Sequence, residues 1–206
     1  MRTHTKETQE ILTPDLIIEI LKKGNQRFVN NIKAHRNLLE QVNETSTGQF
    51  PFAAILSCID SRTSAELIFD QGLGDIFSIR IAGNILNDDI LGSMEFACKI
   101  AGSKLIVVLG HTNCGAIIGA CDDIKLGHLT TLVNKIKPSI EIENQTKSER
   151  NGKNIKFVEN VSVNNVKLTV EGIRRRSPIL SEMETQKKIK IIGGMYDVET
   201  GIVKFL

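Results

Sequence analysis

Short apolar runs alternate with helix-length stretches through the middle of this chain. Ala53–Ser57 (AAILS), Ile76–Arg80 (IFSIR) and 105–109 (LIVVL) are each about strand length, and the last consists almost wholly of β-formers. Helical segments are predicted between them: 63–71, then 88–101, then 115–124. The second opens on Asp88 and Asp89 and stops just before Gly102, as a helix should. Strands alternating with helices predict an α/β fold, with a mostly parallel central sheet flanked by helices. Such sheets place ligand sites at the carboxyl ends of their strands.

Both ends of the chain add to this core. Thr13-Pro14-Asp15 reads as a helix start: an N-cap, a proline in the first turn and an acid to match the helix dipole. Ile17, Ile20, Leu21 and Phe28 then share one face, which predicts an N-terminal helical arm within 1–45. The polar stretch 36–47 joins the arm to an α/β domain over 46–206, the two making one structural domain. Ile155–Arg176 is rich in β-branched residues, yet Val158, Val161, Asn165, Leu168 and Gly172 keep helical spacing. Segments 189–194 and 201–206 read as strands, forming a terminal hairpin or an added edge strand.

Composition narrows the class. The chain has 206 residues, 41% hydrophobic and 24% charged, which suits a single globular domain with a real core. A net charge of +2 is too small to argue for a nucleic-acid or anionic-membrane partner. No run approaches the ~18 apolar residues of a membrane span. Residues 1–10 are polar and lack an apolar signal core, so a cytoplasmic protein is expected. The cysteines Cys58, Cys98, Cys114 and Cys121 are not spaced as a disulfide framework, and a reducing compartment with some of them on metal is expected.

Two loops concentrate the chemistry. Cys58-Ile59-Asp60-Ser61-Arg62 follows the first apolar run, and His111-Thr112-Asn113-Cys114-Gly115 follows the third. Each therefore sits at a strand's carboxyl end. Together they offer two thiolates and one imidazole, a set suited to tetrahedral Zn²⁺ with the fourth position left for water. Blander readings compete. A lone His-x-x-Cys is a weak signal, and a buried cysteine is often a small hydrophobe. A redox pair would want Cys-x-x-Cys, and a zinc ribbon would want a second cysteine pair; neither is present. Cys98 and Cys121 read as core thiols, and His4, His35 and His128 as simple polar residues.

The order and spacing of CIDSR, GLGDIFSIRIAGN (72–84), GSMEFA (92–97) and LIVVLGHTNCGA (105–116) resemble the β-class carbonic anhydrases. LKKGNQRFV (21–29), GQFPFAAILSC (48–58), RRRSPIL (174–180) and GGMYDVETGIVKF (193–205) resemble the flanks of the same family, so the likeness runs from about Leu12 onward. The resemblance implies reversible hydration of carbon dioxide to bicarbonate and a proton by zinc-bound hydroxide. Cys58, His111 and Cys114 match the family's zinc ligands. Asp60 and Arg62 match its Asp-Arg dyad: Asp60 orients the bound water, and Arg62 holds Asp60 off the metal, which Asp60 joins as a fourth ligand in a closed state. Gln49 matches a substrate-orienting glutamine, and Gly115, beside the last ligand, falls on the substrate side. Association as a dimer or tetramer is implied, with the arm wrapped over a partner. Ile59, Thr63 and Ile81 depart from the commoner residues without removing a ligand. Ile55 stands where a bicarbonate-gated subgroup has Trp, which argues against that gating pocket. Two rivals stay open: hydrolysis of carbonyl sulfide or carbon disulfide on the same zinc scaffold, and a non-catalytic zinc-stabilised binding protein with a closed four-ligand site.

Overall fold

A computed structural model describes residues 3–206. Five strands form its sheet: β1 (Ala53–Ser57), β2 (Ile76–Arg80), β3 (Leu105–His111), β4 (Lys190–Tyr196) and β5 (Val203–Phe205). Their order is β2-β1-β3-β4-β5. The first four are mutually parallel and β5 returns antiparallel to β4. The C-terminal segment is thus both a hairpin and an added edge.

Every residue of β1 and β3 is buried, as expected of central strands covered on both faces. Their alternation divides the core in two. Ala54, Leu56, Ile106 and Val108 point to one side, where they meet α5 (Asp88–Glu95), α9 (Ile155–Arg176) and α10 (Pro178–Thr185). Ala53, Ile55, Leu105, Val107 and Leu109 point to the other and meet α2 (Pro14–Val29) and α4 (Ala65–Ile68). The remaining helices are α1 (Lys6–Ile11), α3 (Leu38–Thr45), α6 (Gly115–Cys121), α7 (Gly127–Asn134) and α8 (Lys137–Glu141). No helix among the described residues is long and apolar enough to cross a membrane.

The arm lies on its own sheet. Thr13 caps α2 through Leu16 N at 3.3 Å, and Ile17 and Leu21 are fully buried. Gly24 is required there, since a Cβ would come within 1.8 Å of Phe69 O. Asn25 donates to Ile68 O and Gly201 O and accepts from Val203 N, which fastens the arm to the C-terminal hairpin. Arg27 and Arg36 converge on the buried Asp70 carboxylate at 2.5 and 2.6 Å.

Several boundaries differ from the sequence reading, each for a local reason. The stretch 88–101 is not one regular helix: α5 stops at Glu95 and 96–100 form a π-helical turn, with Ala101 N donating back to Phe96 O. The wider turn leaves Phe96 exposed and sinks Ala97 and Cys98 into the core. Within 63–71 only α4 is helical, because Thr63 is committed to the preceding loop. Helix α6 ends at Cys121, where Asp123 turns left-handed at φ 51°. The polar connection 36–47 contains α3, capped by Asn37 through Glu40 N. Helices α7 and α8 lie in a stretch for which no element was predicted, while α9 has the predicted span.

Candidate metal centre

Parallel pairing brings the two chemical loops together. Ser57 of β1 is in register with Leu109 of β3, so Cys58 leaves β1 level with Gly110, one residue before His111. Asn113 then takes a left-handed turn, φ 52°, and delivers Cys114 at the head of α6. The Sγ atoms of Cys58 and Cys114 and a ring nitrogen of His111 all lie within 4.8 Å of one another. All three residues are buried, 4%, 1% and 1% exposed. Ile81, Ile85, Ala116 and Ile117 pack about the two cysteines.

The donor set fits a soft or borderline divalent metal on two counts. His111 Nδ1 faces the Thr112 carbonyl at 2.8 Å, and a carbonyl only accepts, so Nδ1 carries the proton. The lone pair of Nε2 is then free, and Nε2 is buried without a hydrogen-bond partner among the described residues. Two thiols crowded against it supply the remaining donors. The Cys58 thiol is held well below its ordinary value, first by the Cys114 thiol beside it and further by His111 and the Gly83 N–H. The same closeness of the two thiols, together with burial, pushes the Cys114 thiol up. A cation would draw both towards thiolate.

Asp60 sits at the rim. Arg62 donates to it from Nε and Nη2 at 2.9 and 2.7 Å and from its backbone N–H at 3.0 Å. The Arg62 side-chain bonds hold the Asp60 carboxyl well below the usual carboxylate range. Asp60 Oδ2 is 4.0 Å from His111 Nε2. Tyr196, in register with His111, is buried close by, and burial raises its phenol.

Four residues that the sequence reading gave no role support these loops. Arg80, the last residue of β2, donates to Cys58 O at 3.0 Å and to Asp60 O at 2.6 Å. Thr63 Oγ1 bonds the same two carbonyls at 3.0 and 2.9 Å. Gly83 N–H donates to Cys58 Sγ at 3.3 Å, and Asn165 of α9 donates to Gly83 O. Only Arg80 had a usable signal, its place at the carboxyl end of the strand beside β1.

The other predicted residues fall elsewhere. Gln49 is exposed ahead of the amino end of β1, whereas Cys58 follows its carboxyl end; one chain does not bring the two together. Gly115 is exposed at the start of α6, next to Cys114. Cys98 lies in the core with its thiol pushed up by burial to about 12, and Cys121 is raised to about 11, also by burial. His4 packs edge-on against Phe52, and His128 is exposed on α7.

Known proteins resemble this chain in sequence and in fold. The carbonic anhydrase family model matches residues 53–203. Carbonic anhydrase 2 of Mycobacterium tuberculosis is 36% identical over 187 residues, 88% of this chain and 87% of its own length. The carbonic anhydrase of Mycolicibacterium smegmatis is 33% identical and covers 89% of each chain. Among solved structures, the β-carbonic anhydrase CafA of Aspergillus fumigatus superposes with a TM-score of 0.73 at 26% identity, over 82% of this chain and 81% of that one. The Coccomyxa β-carbonic anhydrase shares the fold, with a TM-score of 0.72 at 22% identity over 80% and 75% of the two chains. With a matching family model, relatives of this identity and coverage, and the same fold, the chain belongs to the β-carbonic anhydrase family of enzymes.

Proposed function

We propose that this protein interconverts carbon dioxide and bicarbonate at a zinc ion held by Cys58, His111 and Cys114. The observation that carries the reading is the convergence of those three buried donors beside an Asp60 carboxylate clasped by Arg62. Bound there, zinc supplies a Lewis acid that makes water a nucleophile near neutral pH. The chain's own groups do the rest. Asp60 accepts a hydrogen bond from the reacting water and turns a lone pair towards the carbon of the substrate. Arg62 keeps Asp60 ionised and aimed, because its planar fork matches the carboxylate at two points. Ile81, Ile85 and Ala116 provide apolar wall near the donors, suited to an apolar gas. Gly115 offers room beside Cys114 for substrate, since nothing lies within 4 Å of a Cβ placed there.

Gln49 acts on a site other than its own chain's, which requires a partner. Self-association is supported by the open β2 edge and by Phe77, Ile79 and Phe96, which line a groove between β2 and α5.

The test is a stopped-flow assay of carbon dioxide hydration on purified protein, with zinc counted per chain and mass measured by sedimentation. One zinc per chain, catalysed hydration and a mass of two or more chains are expected. Turnover of carbonyl sulfide without hydration of carbon dioxide overturns the substrate assignment. Zinc without either activity makes the site structural, and a monomer overturns the partner role of Gln49.

A further inference from the structure

Gly83 lies 25 positions beyond Cys58, in a 3₁₀ turn over Ala82–Asn84. Its φ is +66°, a left-handed conformation natural to glycine. A side chain is also excluded by space: a Cβ would come 2.9 Å from Ile136 Cδ1 and 3.2 Å from Ala116 Cβ. Both of its backbone groups are engaged. The N–H donates to Cys58 Sγ at 3.3 Å, and the carbonyl accepts from Asn165 Nδ2 at 2.8 Å.

Asn165 is itself held. It is 3% exposed on α9, and its Oδ1 accepts from Ser139 Oγ at 3.4 Å; Ser139 is 1% exposed on α8. The Gly83 carbonyl can only accept, so the NH2 end of the amide faces it and Oδ1 is turned to Ser139. One turn further along α9, Thr169 Oγ1 reaches Asn84 O at 3.5 Å. The long helix thus grips the turn at two successive carbonyls. Ile81 N–H donates to Ser57 O and Asn84 N–H closes the turn on Ile81 O, but neither bond engages Gly83 itself. Glycine is the residue most free to rotate about φ and ψ, so the Asn165 bond to its carbonyl narrows the range open to its N–H.

We propose that Asn165 is a positioning residue for Cys58: by holding the Gly83 carbonyl, in the peptide unit next to the one that carries the Gly83 N–H, it restrains the glycine's rotation and keeps that donor on the sulfur. The inference rests on the zinc reading above and adds a residue outside the three donors and the Asp60–Arg62 pair. Its physical basis is charge. Two thiolates on one divalent ion leave the metal with little net charge, and the wall around them is largely apolar. A hydrogen bond to one sulfur draws electron density away from it. That steadies the thiolate and leaves the metal the stronger Lewis acid.

The variants are Asn165→Leu, which keeps the bulk but loses the donor, and Ser139→Ala, a milder change that frees the amide to turn. Cys114→Ala is the control for the metal site. Zinc affinity is measured by chelator competition, and the protein is also loaded with cobalt(II) to follow the sulfur-to-cobalt charge-transfer band. Removing the N–H donor raises the energy of the sulfur lone pairs and narrows the gap to the metal. Asn165→Leu is therefore expected to move the band to longer wavelength and to weaken zinc roughly 10- to 100-fold. Ser139→Ala should move both readouts the same way by less. A buried asparagine that only serves packing would lower the melting point of the metal-free protein without moving the band. If Cys114→Ala loses zinc while both variants bind it normally with an unshifted band, the positioning role is overturned and the metal site stands. If Cys114→Ala also binds normally, the zinc reading falls instead. Should Asn165→Leu fail to fold, Ser139→Ala decides: a shifted band supports the role and an unshifted one overturns it.

Discussion

Arg62 and Asp60 meet through two parallel hydrogen bonds, Nε to Oδ1 at 2.9 Å and Nη2 to Oδ2 at 2.7 Å. The same Nη2 reaches Asn113 O at 3.3 Å, so one guanidinium ties the loop after β1 to the loop after β3. Asp60 Oδ2 is meanwhile 4.0 Å from the bare nitrogen of His111. A carboxylate so close to the donor set is itself a competent zinc ligand, and Arg62 is the restraint that competes for it.

Arg62→Ala should therefore keep its zinc and lose carbon dioxide hydration by about 100-fold or more, the scale of a misplaced catalytic group. A crystal structure at neutral pH should show four protein ligands, with Asp60 as the new one. Adding Asp60→Ala should return the count to three without restoring turnover, because the orienting acceptor is gone. Bound water and near-normal turnover in Arg62→Ala alone refute the restraint.

Cys114→Ala should drop zinc from one per chain to almost none, since three donors leave no spare. Cys98→Ala should leave the zinc count unchanged: its thiol sits in the core, apart from the donors. Elemental analysis after dialysis reads both, and equal zinc in the two variants would refute the ligand set.

Arg80 braces the carbonyls on either side of Ile59, at Cys58 and Asp60. A lysine cannot span both from one planar fork. Arg80→Lys should lower kcat roughly 10- to 100-fold, the usual range for residues that support a metal site. Its side chain lies at the surface, so the melting temperature should change little. A normal kcat in this variant means that Thr63, which bonds the same carbonyls, is brace enough.

Asp70 supplies a pH test of the arm. Burial acts to raise its carboxyl, but bonds from Arg27, the Ala34 N–H and Arg36 outweigh burial and hold it below its ordinary value. A carboxyl depressed in the folded state adds stability above its unfolded pKa of about 3.9, and loses it as pH falls through the lower folded value. Asp70→Asn takes the carboxylate away from the buried Arg36 and should cost about 3 kcal/mol at pH 7. At roughly 2–4 °C per kcal/mol for a chain of this size, the melting point should fall by about 6–12 °C. The gap to the parent protein should close below about pH 4. A gap that is constant with pH argues that the cost is packing alone.

The parallel core was legible because burial on both faces leaves a strong mark: AAILS and LIVVL have no polar alternation to confuse them with surface strands. The donors were legible because they are chemically unusual residues placed directly after those strands. Helix α9 was legible because its apolar period persisted through β-branched residues over six turns. Helices α7 and α8 were not, being short, uncapped by side chains and shaped by what they pack against.

What the chain order alone determined is which residues are able to bind metal and which strand end each one follows, since both are local properties. What only the tertiary structure decided is everything that depends on distance across the fold. Register set Cys58 beside His111; a π-helical turn moved Cys98 inward; Asp70 gathered two arginines from the arm. The sulfur of Cys58 found its donor 25 residues on, in a glycine held by a side chain 82 positions further still. Asn165 carried no mark of that role, because an amide on a helix face is ordinary until the backbone group it meets is known.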